Sequence, residues 1–273
     1  NVVTTENCLI QHPLVNRIVR EVLEILNQYQ LTVYDEKKHQ GLLRHLLVRV
    51  GTCTNQALVT LVTRTSNFSH KHEIAEKLFE KIPELIGFLQ NINSEKTNVI
   101  LGDKTKLIRG KDKYIDYIGF IKFEISPESF FQVNTLQTQI LYDDIIKYAD
   151  ITGTETIIDT YCGIGSISLY LAEKVNQIYG IEILQKAVED ARRNAAINQI
   201  NNCSFIQGRV EQKLPELVNK GIDPDIMIFD PPRKGLNEEL INTVLTIKQD
   251  QVIYVSYTPT TLARDLKKFN TCY

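Results

Sequence analysis

Three carboxylates and a glycine turn are the groups in this chain best placed to do chemistry. The stretch Ile157-Ile-Asp-Thr-Tyr-Cys-Gly-Ile-Gly-Ser-Ile-Ser-Leu-Tyr-Leu-Ala172 reads as a buried strand, a turn and the start of a helix. Ile157 and Ile158 are β-branched and apolar, and Asp159 closes the strand. Gly163 and Gly165 let the backbone bend sharply and approach a ligand. Ser166 is placed to cap the helix that follows. Ligands of open α/β sheets bind beyond the carboxyl ends of the strands, so this turn is the first place to look for a cofactor.

The spacing is not G-x-G-x-x-G, so a dinucleotide is not the first choice. The next strand, Gln177-Ile-Tyr-Gly-Ile-Glu-Ile183, ends near Glu182, roughly 20 residues on, where an acid accepts hydrogen bonds from ribose hydroxyls. S-adenosyl-L-methionine carries a ribose and no phosphate and fits that layout. A nicotinamide cofactor fits it too. A third acid ends the strand in Asp225-Ile-Met-Ile-Phe-Asp-Pro-Pro-Arg-Lys-Gly-Leu236. Two prolines hold the chain extended after Asp230 and leave its carboxylate facing the crevice. Arg233 and Lys234 follow at once and suit phosphates. On its own, such a pair is more often merely solvated.

The elements that must position these groups form two patterns. Over residues 1–124, an amphipathic helix from His12 to Leu26 precedes a hairpin of Leu42–Val50 and Gln56–Thr63. Helical periodicity returns from Ser69 to Leu89, with Pro83 marking a break or a start. Short strands are expected at Asn98–Gly102, Lys106–Arg109 and Tyr114–Ile125. That mixture predicts a smaller α+β domain. Over residues 125–273, a helix at Thr135–Tyr148 is expected to turn Leu136, Ile140, Leu141, Ile145 and Ile146 inward. Strands and helices then alternate from Glu155 onward, which predicts an α/β domain with a covered parallel sheet.

A net charge of −2 over 273 residues argues against a basic surface overall and leaves room for a local basic groove. No apolar run approaches the roughly 18 residues of a membrane span, so no membrane partner is expected. The five cysteines, Cys8, Cys53, Cys162, Cys203 and Cys272, are odd in number, scattered and free of C-x-x-C. They argue for a reducing, cytoplasmic setting and against a complete metal site.

Several segments, taken in order, resemble the TrmA/RumA-type RNA (uracil-5-)-methyltransferases. They are Gly41-Leu-Leu-Arg-His-Leu46, Ser126-Pro-Glu-Ser-Phe-Phe-Gln-Val-Asn134, Asp159-Thr-Tyr-Cys-Gly-Ile-Gly165, Asp230-Pro-Pro-Arg-Lys-Gly235 and Tyr254-Val-Ser-Tyr-Thr-Pro-Thr-Thr-Leu-Ala-Arg-Asp265. The resemblance implies a Rossmann-like class I methyltransferase domain preceded by a central, RNA-binding domain. It implies transfer of a methyl group from S-adenosyl-L-methionine to C5 of a uridine in tRNA or rRNA. A monomer is expected. Gln132, Tyr161, Ser166, Glu182, Arg209 and Asp230 match cofactor contacts of the family, beside Gly163 and Gly165. Arg233, Lys234 and Arg264 are expected RNA contacts.

The chemistry asks for more. C5 of uracil is a poor nucleophile until a thiolate adds to C6, and a carboxylate must then remove the C5 proton. The base must also leave its stack to be reached. Where the family reads Ser-Cys-Asn-Pro, this chain reads Ser256-Tyr-Thr-Pro259, so Tyr257 takes the nucleophile's place. A phenol with an ordinary pKa of about 10 is a poor substitute. The family's base segment is expected beyond Tyr273, which would leave the methyltransferase domain truncated. The family's amino-terminal barrel and three of its cluster cysteines find no match, and Cys8 resembles a lone remnant of that ligand set. Three readings remain: a uracil-5 methyltransferase, an inactive RNA-binding module on the same fold, and a methyltransferase for another acceptor such as a nitrogen.

Overall fold

A computed structural model describes residues 7–247 and 249–269, and Cys272 lies outside them. The chain divides into two compact units, Asn1–Tyr117 with Glu124–Glu128, and Ile118–Phe123 with Ser129–Tyr273.

In the first unit, helix α1 (Pro13–Asn27) starts on a proline, with His12 Nδ1 accepting from the Leu14 amide at 3.3 Å. Ile18, Val22, Ile25 and Leu26 form its buried stripe. Strands β1 (Leu43–Val50) and β2 (Ala57–Thr63) make the expected antiparallel hairpin. Helix α2 (Lys71–Lys81) carries the chain to β3 (Leu85–Ile92), parallel to β2, and β4 (Lys104–Gly110) returns antiparallel. The sheet order is β1-β2-β3-β4. Both helices pack on one face, against Val59, Leu61 and Phe88.

Two sequence expectations fail here. The helix expected to run on to Leu89 stops at Lys81, and Leu85–Ile92 is a strand. Pro83 lacks an amide hydrogen, and Ile82 before it is already extended. Burial on both faces of β3 also removes the alternation that marks a strand. The strand expected at Asn98–Gly102 is irregular. Side chains satisfy its backbone instead: Asn93 Nδ2 donates to the Val99 carbonyl at 2.7 Å, and Asn91 Oδ1 accepts from the Gly102 amide at 2.7 Å.

A two-stranded ribbon, β5 (Tyr114–Ile118) and β6 (Ile121–Ile125), follows, and then helix α3 (Thr135–Tyr148) in the second unit. The inner face expected for α3 is right at Ile145, half-buried at Leu141 and Ile146, and wrong at Leu136 and Ile140. It buries Thr135, Thr138, Tyr142 and Ile145, while Leu136 and Ile140 are 66% and 53% exposed.

The alternation then runs as read from the sequence: β7 (Thr156–Thr160), α4 (Ser166–Leu171), β8 (Gln177–Glu182), α5 (Gln185–Ile197), β9 (Cys203–Gln207), α6 (Val210–Asn219), β10 (Ile226–Phe229), α7 (Glu238–Thr246), β11 (Gln251–Tyr254) and α8 (Pro259–Phe269). All neighbouring strands are parallel, in the order β11-β10-β7-β8-β9. The order reverses between β7 and β10, so connecting helices lie on both faces and a crevice opens at that point. Ile158, Ile181, Met227 and Phe229 form the core with Leu214, Leu240 and Val244.

Candidate cofactor and acceptor site

The turn after β7 is built on left-handed backbone. Tyr161, Gly163 and Gly165 have φ of 60°, 55° and 81°. At Gly165 an added Cβ would lie 2.8 Å from the Phe205 ring, so no side chain fits. At Gly163 it would meet nothing within 4 Å, so the turn presents open backbone to the crevice. Gly165 itself caps α4. Ser166 therefore does not cap the helix. It is the first helical residue, and its Oγ accepts from the Tyr142 hydroxyl at 2.8 Å.

Glu182 ends β8, and its carboxylate bridges two backbone amides. Oε2 accepts from Gly163 at 3.1 Å and Oε1 from Leu184 at 2.9 Å. Each oxygen keeps a second lone pair for a ligand hydroxyl. Asp230 follows β10 directly, and burial pushes its pKa up to about 6. Between them, on β7, Asp159 is fully buried. Its Oδ2 accepts from Ser168 Oγ at 2.5 Å, while Oδ1 has no partner among the described residues. Burial first, and the nearby Asp230 and Glu182 charges as well, push Asp159 up to about 7 against the opposing Ser168 bond.

Three carboxyl groups at one sheet edge suit a cationic or hydroxyl-bearing ligand and repel a pyrophosphate. Asp159 also ties stability to pH. Its folded pKa lies above its unfolded value near 3.9, so the folded state holds the proton more tightly. That contribution is complete below about pH 4 and is lost as pH rises through about 7. Asp159→Asn should therefore raise the melting temperature at pH 8 by several degrees and change it little at pH 4, read by thermal denaturation at both values.

Gln132 and Tyr257 meet: Gln132 Nε2 donates to the Tyr257 hydroxyl oxygen at 2.5 Å. Burial and the Asp230 charge raise the Tyr257 pKa, opposed by the Gln132 bond. Tyr161 packs, partly buried, against the core of the parallel sheet. Burial, then Glu211, push its pKa up to about 12. Arg209 precedes α6 and pairs with the same Glu211 at 3.8 Å.

Arg233 and Lys234 are exposed on the turn beyond Asp230. Arg264 directs its donors to protein: Nε to Asp265 Oδ1 at 2.8 Å, and Nη2 to the Lys234 and Leu236 carbonyls at 2.9 and 3.1 Å. Asp265, which sequence reasoning missed, is fully buried. Its Oδ2 accepts from the Leu236 amide and the Tyr254 hydroxyl, each at 2.8 Å. Helix α8 thus grips the loop that carries Asp230. The only sequence signal was an acid on the apolar side of an amphipathic helix. Asp265→Ala would strand three donors and should cost about 3 kcal/mol, measured by urea unfolding.

Cys8 exchanges two hydrogen bonds with Asn16, and among the described residues no three His, Cys, Asp or Glu side chains converge as metal ligands. Among those residues no helix is long and apolar enough to cross a membrane.

The parallel sheet, its reversal point and the acidic rim define a Rossmann-like methyltransferase fold. The family profile for tRNA (uracil-5-)-methyltransferase matches residues 14–273. The chain is 45% identical over 267 residues to an uncharacterized RNA methyltransferase of Bacillus cereus, covering 98% of this chain and 58% of that protein. It is 44% identical over 266 residues to an uncharacterized RNA methyltransferase of Clostridium tetani, covering 97% and 58%. The crystal structure of Pyrococcus abyssi tRNA (uracil-54, C5)-methyltransferase in complex with S-adenosyl-L-homocysteine is similar at 27% identity and a TM-score of 0.79, covering 98% of this chain and 64% of that one. The chain belongs to the tRNA (uracil-5-)-methyltransferase family. It spans somewhat over half the length of the curated relatives it matches.

Proposed function

We propose that this chain is the cofactor- and RNA-binding part of a uracil-C5 methyltransferase of tRNA or rRNA that uses S-adenosyl-L-methionine. The carrying observation is the carboxylate of Glu182 tied to the amide of Gly163, where the turn is open and the buried Asp159 has an unpartnered oxygen. Those residues fit the cofactor. Glu182 would hold ribose hydroxyls, the bare backbone at Gly163 would admit the nucleoside, and the acidic edge would favour a positive ligand. The bound sulfonium supplies an electrophilic methyl group. Gln132 and Tyr257 would face the acceptor, with Arg233 and Lys234 on its phosphates.

Tyr257 favours a second reading, an RNA-binding module that keeps the fold without performing the transfer. A phenol raised above its ordinary pKa stays protonated at neutral pH and does not add to C6 of uracil. Calorimetric titration with S-adenosyl-L-homocysteine, followed by a radiolabelled transfer assay on unmodified bulk RNA, separates the readings. Cofactor binding with no transfer, and none gained by Tyr257→Cys, supports the module. Neither cofactor heat nor a thermal shift at saturating ligand ends both.

A further inference from the structure

Asp230 stands at the crevice without a bond of its own. Among the described residues no hydrogen-bond donor meets its carboxylate. The chain on either side must therefore hold it in place. On one side lies β10, where Phe229 pairs with Tyr254 and its carbonyl accepts from the Val255 amide at 2.8 Å. On the other side Pro231 and Pro232 have no amide hydrogen to anchor. They form a stiff arm that is fastened only at its far end.

The fastenings come from α8. Thr261 Oγ1 lies 3.3 Å from the Arg233 carbonyl oxygen. Arg264 Nη2 donates to the carbonyls of Lys234 and Leu236, and Asp265 Oδ2 accepts from the Leu236 amide. Arg264 is braced in turn, with Nε and Nη2 at 2.8 and 2.6 Å from Asp265 Oδ1. Asp265 also accepts from the Tyr254 hydroxyl, so the clamp is tied to β11. Gly235 passes close beneath it. A Cβ there would lie 2.5 Å from Asp265 Oδ2 and 2.7 Å from Arg264 Nη2. Helix α8 begins at Pro259, two residues beyond Tyr257, so the same helix fixes the exits of β10 and β11.

We propose that Arg264, braced by Asp265, is a positioning residue that holds Asp230 at the cofactor, and not an RNA contact; the inference rests on Asp230 touching the cofactor, as read above. The Arg264 charge is met by a buried carboxylate at 2.6 Å, which leaves little attraction for a phosphate. Its planar fork reaches Asp265 and two carbonyls together, which the point charge of a lysine does not reproduce. Without the clamp, the far end of the proline arm is free to swing and Asp230 moves with it.

The test is calorimetric titration with S-adenosyl-L-homocysteine, run in the cold where every variant is folded. It compares the unaltered chain, Asp230→Ala, Arg264→Gln, Arg264→Lys and Asp230→Ala/Arg264→Gln. Arg264→Gln should bind about fivefold more weakly, yet cost nothing further once Asp230 is alanine, because changes acting through one contact do not add. Arg264→Lys keeps the charge, loses the fork and should bind as weakly as Arg264→Gln. The salt slope for a labelled oligouridylate should be the same in Arg264→Gln as in the unaltered chain. Losses that multiply in the double variant would mark a general loosening of the fold and overturn the inference. Arg264→Gln binding the cofactor product within about twofold of the unaltered chain would overturn it too. If the RNA slope then became shallower by about 0.7, Arg264 would be a phosphate contact instead. Asp230→Ala binding as tightly as the unaltered chain would remove the cofactor role of Asp230 itself, which no result at Arg264 alone can do.

Discussion

Glu182→Ala is expected to weaken S-adenosyl-L-homocysteine binding by roughly 100-fold, a loss of about 3 kcal/mol typical of charged hydrogen bonds removed from a partly enclosed site. The variant loses the proposed ribose acceptor and also frees the Gly163 and Leu184 amides that the carboxylate now holds. The turn then loses its anchor as well as its ligand contact. Asp230→Ala should weaken binding less, about tenfold, because no backbone amide depends on that side chain in the same way. Calorimetry on the three proteins reads both effects. Equal affinity in all three would remove the acidic rim from the cofactor site.

The second large effect concerns position 257. The unaltered chain should release no 5-methyluridine from unmodified RNA above the level of a protein-free control. The Tyr257 hydroxyl has a pKa above its ordinary value of about 10, so at pH 7 fewer than about one molecule in 1,000 carries the phenolate. An ordinary thiol is a few per cent ionised and far more nucleophilic toward carbon. Tyr257→Cys should therefore lift methyl incorporation clearly above the protein-free control. Radiolabel transfer followed by nucleoside chromatography gives the answer. A clear 5-methyluridine peak from the unaltered protein would show that another group activates the ring.

The parallel sheet was legible because each of its strands is a short apolar run bounded by turn formers, with an acid at the carboxyl end of three of them. Asp159, Glu182 and Asp230 could be placed on one edge from alternation alone. The inner face of α3 was not legible, because its buried residues carry hydroxyls. Thr138 Oγ1 donates to the Asn134 carbonyl at 2.8 Å and Tyr142 bonds Ser166, so polar side chains lie inside while Leu136 and Ile140 stay out. Strand β3 was hidden by burial on both faces. Asp265 was hidden because its partners Leu236 and Tyr254 lie 29 and 11 residues away. The Gln132–Tyr257 bond joins residues 125 apart, which no local pattern reveals.

The strand order of the second unit also bears on how the chain reaches its native state. No two neighbours in that sheet are joined by a hairpin, so every pairing waits for an intervening helix to be laid down. The central contact, β7 on β10, aligns Ile157 with Ile226, so the crevice closes only after most of the unit has been synthesised. The β1–β2 hairpin of the first unit needs only a short loop closure. Refolding should accordingly be biphasic, with a fast local phase and a slow one in which the sheet edge bearing the carboxylates is assembled last.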